Sequence, residues 1–112
     1  MPTSKIDSAP TNSLKGYWIV LAKVTDPSRF GAYTAMAGPI IQSCGGRVLA
    51  RGDVAEVVEG EFPGRPYLIE FPSYASAQTC YQSAGYQEAI GLRTGAAEFQ
   101  IVIVEGFQLQ TQ

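Results

Sequence analysis

Glu70 is the residue of this chain most suited to chemistry. It is the lone carboxylate in an apolar run, residues 67–71 (YLIEF), that stops at Pro72. In a strand, Ile69 and Phe71 face one way and Glu70 the other. A carboxylate buried there is costly unless it is paired, hydrogen-bonded or protonated. Two roles are open: a general acid or base in a cavity, or the acidic half of an ion pair with an arginine such as Arg51 or Arg93. Those two arginines are also candidates to hold a substrate carboxylate, because a guanidinium fork matches that group with two hydrogen bonds. Pairing with Glu56, Glu59 or Glu70 is the structural alternative. Tyr33, Tyr81 and Tyr86 complete the candidate ligand-binding set, each offering a ring to pack and a hydroxyl to orient a ligand. At helical spacing such residues equally build a core.

What is missing narrows the chemistry further. The chain has no histidine, and its single asparagine is Asn12 in the leading segment. The commonest general base, metal ligand and haem axial ligand is therefore absent. An enzyme here has to work with carboxylates, tyrosines, arginines or a thiol, so neither a metal nor another cofactor is expected. No GxGxxG, P-loop, nucleophile elbow or metal-ligand spacing is present. Gly45-Gly46 reads as a helix stop, since a phosphate cradle needs its glycines ahead of a helix. Asp26, Asp53 and Glu61 fall in caps or turns.

The elements that position these residues are legible in the hydrophobic pattern. Residues 1–14 are rich in Pro, Ser and Thr without periodicity and read as a disordered tail, leaving 15–112 as one domain. Residues 17–24 (YWIVLAKV) are apolar on both parities, the pattern of a central strand covered on both faces. Tyr17 and Trp18 begin it, and one of them must face the helices. Asp26-Pro27 is a helix start, a carboxylate cap followed by proline. Phe30, Tyr33, Ala37, Ile40 and Cys44 then recur at spacings of three and four. Pro39 interrupts this stripe and should kink it, and Gly45-Gly46 ends it.

Residues 47–51 and 54–58 are both strand-like, and a bulge at Gly52-Asp53 within one long strand is the preferred reading. The turn at 61–64 (EFPG) then leads back into 67–71. Ser73 caps a helical region reaching about Arg93, with a break near residues 83–85. Residues 99–105 (FQIVIVE) form the last strand. The order strand, helix, strand, strand, helix, strand is that of an α+β ferredoxin-like sandwich, a four-stranded antiparallel sheet in the order 4-1-3-2 with helices on one face. The other face would be left bare and apolar, which calls for a partner. A homodimer burying sheet against sheet is the expectation, with Trp18 or Glu70 as possible members of that contact.

Composition sets the outer bounds. The 112 residues suit a single domain, and 46% hydrophobic with 16% charged residues is ordinary for a packed globular protein. No apolar run is long enough to span a bilayer, and no leader sequence is recognisable, so a cytoplasmic protein off the membrane is expected. A net charge of -2 without basic blocks argues against nucleic acid as a partner. Cys44 and Cys80 lie in expected helices outside any metal or redox spacing and read as buried free thiols.

Several blocks together resemble the domain of unknown function 1330 family of the dimeric α+β barrel group. They are GGRVLARG (45–52), Glu59-Gly60, IEFPS (69–73), YQSAGYQ (81–87) and IVIVEG (101–106), spread over residues 15–107. Asp53 stands where the family's RGG turn has its last glycine, and Glu98 matches its acidic residue ahead of the final strand. The resemblance implies a ferredoxin-like protomer and a dimer, with no established reaction and no catalytic residues to carry over. Related barrel families include cofactor-free monooxygenases, isomerases and haem-degrading enzymes. The absence of histidine argues against the haem type. Lack of asparagine beyond Asn12 weakens the analogy with the oxygenases.

The expected function is binding of a small organic molecule in a pocket between sheet and helices. Cofactor-free acid/base chemistry on a small carboxylate would use Glu70 as acid or base, Arg51 or Arg93 as anion holder and a tyrosine as orienter. The alternatives are a non-enzymatic ligand-binding or assembly module, and a cofactor-free oxygenase if Trp18 and the tyrosines line a pocket of aromatic size.

Overall fold

The computed structural model describes residues 14–108; the tail expected at 1–14 lies almost wholly outside them. The elements run β1 (Gly16–Val24), α1 (Pro27–Ser43), β2 (Arg47–Ala50), β3 (Arg65–Phe71), α2 (Tyr74–Gln82), α3 (Ala84–Arg93) and β4 (Ala97–Glu105). The four strands form one sheet in the order β2-β3-β1-β4, every pair antiparallel. This is the α+β ferredoxin-like arrangement, with β1 and β3 in the middle.

Side chains alternate cleanly across the sheet. Trp18, Val20 and Ala22 of β1 and Ile69 and Phe71 of β3 are buried toward the helices. Phe99, Ile101 and Ile103 of β4 pack against the same core. The opposite parity (Tyr17, Ile19, Leu21, Leu68, Glu70, Val102 and Val104) occupies the face without helices, where Ile19 is 42% and Val102 52% exposed.

Local chemistry sets the helix ends. The Asp26 carboxylate accepts from the Arg29 N–H, and Pro27 takes the first helical position, where a missing N–H costs nothing. Helix α1 continues through Pro39 to Ser43, so that residue deletes one hydrogen bond without ending the helix. Its end is a Schellman motif: Gly45, at φ +84°, donates to the Gln42 carbonyl while Gly46 donates to that of Ile41. Ser73 caps α2 by accepting from the Ser76 N–H, and Ser83 breaks the run and caps α3 by accepting from the Tyr86 N–H. The helical break expected near 83–85 is therefore a second N-cap.

One expectation fails. Residues 54–58 are not a strand: β2 ends at Ala50, its bulge falls between Val48 and Ala50, and 51–64 form an irregular excursion. Gly52, at φ +70°, turns the chain out of the sheet. Beyond it, β3 begins at Arg65 and offers nothing for 54–58 to pair with, so strand propensity has no ladder to act through. Val54 is 98% exposed as a result. The base of the excursion is tied by Arg65, which donates through Nε to the Arg51 carbonyl (3.0 Å) and forms an ion pair with Asp53.

The backbone of α2 approaches the sheet closely, whereas that of α1 approaches α3 and reaches the strands through its side chains. The site lies between α1 and the sheet.

Candidate functional site

Between α1 and the sheet lies a cavity of about 170 Å³ with apolar walls. Its floor is Trp18, Val20, Tyr67, Ile69, Phe99 and Ile101; Phe30, Tyr33, Ala37, Gly38 and Ile41 of α1 form the roof, and Tyr86 of α3 closes one end. The rings interlock. Tyr33 meets Phe99 and Tyr86 edge-on at 5.4 and 6.2 Å, Phe30 stacks on Tyr33 at 5.6 Å, and Trp18 meets Tyr86 at 5.0 Å. Edge-to-face contacts of this kind fix ring orientation beyond the effect of burial alone. The Trp18 indole N–H is satisfied by the Ala77 carbonyl at 2.9 Å, which leaves its ring free to serve as wall.

The polar centre is a pair of phenols. The Tyr33 and Tyr86 hydroxyls stand 2.6 Å apart, buried, each on a different helix. Burial pushes the Tyr33 phenol well above its ordinary range, its neighbour Tyr86 adds to the shift, and the nearby Arg93 guanidinium pulls weakly the other way. Tyr33 therefore stays protonated at neutral pH. Of the two hydroxyls only one can donate to the other, and both point away from the apolar surface that lines the cavity.

Arg93, the final residue of α3, is 9% exposed. Its guanidinium lies 3.9 Å from the Phe99 ring centroid and 5.2 Å from that of Tyr33. No ion pair among the described residues includes it, and its Nε is buried without a hydrogen-bond partner. Tyr81 sits beside it, lining a separate cleft with Arg93 and meeting Trp18 edge-on at 5.9 Å.

Glu70 is elsewhere. It projects from the helix-free face, where Arg47 Nη2 and Nε donate to Oε1 at 3.1 and 3.3 Å and the Tyr17 hydroxyl donates to Oε2 at 3.1 Å. Its arginine is thus neither Arg51 nor Arg93 but its register partner on β2. Arg51 is exposed in the excursion, 3.9 Å from Asp53. The structure accordingly gathers Tyr33, Tyr86 and Arg93, with Tyr81 adjoining, and leaves Glu70 and Arg51 outside. Phe30, Phe99 and Gly38 also line the cavity; the sequence pattern places Phe30 in a helical stripe and Phe99 in a strand, and carries no signal that they share a site.

A family model for a domain of unknown function, DUF1330, matches residues 15–107. The chain belongs to the DUF1330 family. No curated protein matches it in sequence. Among solved structures, the methylated RPA0582 protein is similar at a TM-score of 0.67 and 19% identity, over 96% of this chain and 94% of that one. A second structure of RPA0582, a protein of unknown function from Rhodopseudomonas palustris, gives 0.64 and 18%, over 97% of both chains. SnoaB, a cofactor-independent oxygenase from Streptomyces nogalater, is similar at 0.58 and 9% identity, over 89% of this chain and all of that one. At such identities the likeness is one of fold. No helix among the described residues of this DUF1330 chain is long and apolar enough to cross a membrane.

Proposed function

We propose that this protein binds one small, flat, apolar organic molecule between α1 and the sheet. The observation that carries this is the aromatic-walled cavity of about 170 Å³, whose lining offers a guest only apolar surface. A dry apolar cavity of about 150 Å³ is enough to take a benzene-sized guest. The Tyr33–Tyr86 hydrogen bond holds two rings of the wall in place, and a polar group on the guest would find no partner there, so the site favours an apolar ring over a charged one.

The cavity wall carries no carboxylate or thiol, and Tyr33 remains neutral. The wall therefore offers a guest apolar contact and neither an acid nor a base. Glu70 acts on the other face of the sheet, where we assign it with Arg47 and Tyr17 to the surface that meets a second copy of the chain. A ligand-binding module fits these features best. Cofactor-free oxygenation is the second reading, supported by Trp18, Tyr33 and Tyr86 lining a space of aromatic size.

Trp18 is the only tryptophan and lies in the cavity floor, so it reports occupancy directly. Titration with phenol, p-cresol and toluene should give a saturable change in its fluorescence and a rise in Tm, with toluene at least as effective as the phenols. Absence of any saturable change across the three would reject the proposal.

A further inference from the structure

The second cleft, of about 330 Å³ between α3 and β4, is lined by Tyr81, Ile90, Arg93, Phe99, Ile101 and Ile103. It shares only Phe99 and Ile101 with the aromatic cavity, as a common wall. We propose that this cleft is a binding site for a small organic carboxylate with an apolar body, held at its charged end by Arg93.

Arg93 is the reason. A guanidinium keeps its charge at any accessible pH, so it cannot escape burial by losing a proton as a lysine can. Taking such an ion out of water costs several kcal/mol unless an opposite charge compensates. Here nine-tenths of the residue is buried, no carboxylate among the described residues pairs with it, and Nε has no acceptor. The Phe99 and Tyr33 rings and the C-terminal end of α3 supply partial negative charge. They offset part of the cost and leave Nε without an acceptor. The missing element is an oxyanion.

The rest of the lining defines what carries it. Three isoleucines, Phe99 and the Tyr81 ring would cover a hydrocarbon or ring. Arg93 is the only cation in the lining, so a monoanion is matched and a phosphate dianion is left half-neutralised. The site is separate from the phenol-binding cavity, and either can fail without the other.

The test compares benzoate and phenylacetate with their neutral amides at constant ionic strength, by thermal shift and calorimetry on the full chain. The carboxylates should bind at least about tenfold more tightly than the amides, the weight of one charge-assisted hydrogen bond. Arg93→Met should abolish that preference, and Arg93→Lys should keep part of it. Because the buried charge is uncompensated, Arg93→Met should melt no lower than the wild type without ligand, which a purely structural arginine would not allow. Gly38→Phe, which fills the other cavity, should leave carboxylate binding unchanged. Equal binding of acid and amide, no binding of either carboxylate at millimolar concentration, or unaltered preference in Arg93→Met would each overturn the proposal.

Discussion

The hydroxyls of Tyr33 and Tyr86 meet at 2.6 Å although the residues are 53 positions apart and sit on different helices. This contact ties α1 to α3 over the cavity. It also forms the only hydrogen bond either hydroxyl makes among the described residues, so each is hostage to the other.

Removing one hydroxyl should therefore cost more than removing both. Tyr33→Phe or Tyr86→Phe leaves a buried phenol unpaired, at about 1–3 kcal/mol. The double variant discards both polar groups and should recover much of that loss, giving a strongly non-additive cycle by urea denaturation. Additive losses would mean that the two hydroxyls find other partners in solution.

The same burial sets an alkaline limit on stability. Burial, with Cys44 beside it, pushes the Cys80 thiol up to about 12 from its ordinary 9.0, and Tyr33 is raised from 10.0 in the same direction. A group whose folded pKa is raised contributes fully below its unfolded pKa and loses that contribution as pH climbs toward the folded one. Stability should hold steady below pH 9 and fall above it, steeply once tyrosine ionisation joins. Tyr33→Phe and Cys80→Ala should each flatten the decline of Tm with pH, whatever they do to Tm at neutrality.

Glu70 gives a prediction of the opposite kind. Its partner Arg47 is 70% exposed at the side chain, so the pair is worth at most about 1 kcal/mol after screening. Glu70→Gln should change protomer stability little and leave phenol binding intact. Its signature lies in Tyr17, whose phenol is held above its ordinary range first by the hydrogen bond to Glu70. In Glu70→Gln one tyrosine should ionise at lower pH in an ultraviolet titration. An unchanged titration would separate Tyr17 from Glu70.

The helix-free face carries Ile19, Leu21, Leu68, Val102 and Val104 on three adjacent strands. We expect a second copy to cover it. Light scattering at micromolar concentration should give twice the protomer mass, and Val102→Asp should return the protomer. A wild-type monomer would remove the dimer.

Most of this fold could be read from local pattern. Both-parity apolarity put β1 in the centre, and Asp26, Ser73 and Gly45-Gly46 marked helix ends because caps are local chemistry. Residues 54–58 misled because strand propensity is realised only against a partner, and the outward turn at Gly52 removes one. Glu70 was read as odd from its neighbours, but its partner depended on the β2–β3 register, which a one-residue bulge decides. The cavity was the least legible part. It lies where α1 meets the strands through its rings and not by close backbone approach, a distance that no run of residues encodes. Arg93 could be named from the sequence, yet its lack of a counter-ion is visible only in three dimensions.

Gly38 provides the sharpest test of where a ligand sits. It lines the cavity from α1, and a Cβ built there meets no atom within 4 Å, so a side chain has room to enter. The gain in helix propensity over glycine, up to about 1 kcal/mol, is opposed here by Pro39, whose ring disfavours the helical region for a preceding residue with a Cβ, whereas an aromatic ring filling the space adds buried apolar area. Gly38→Phe should accordingly abolish the phenol-dependent change in Trp18 fluorescence with little net change in Tm. A folded variant that still binds phenol would place the ligand elsewhere. Gly38→Ala, too small to fill the space, should carry the same backbone effect and keep the binding. The pair of variants thereby separates the effect of helix propensity from that of occupancy.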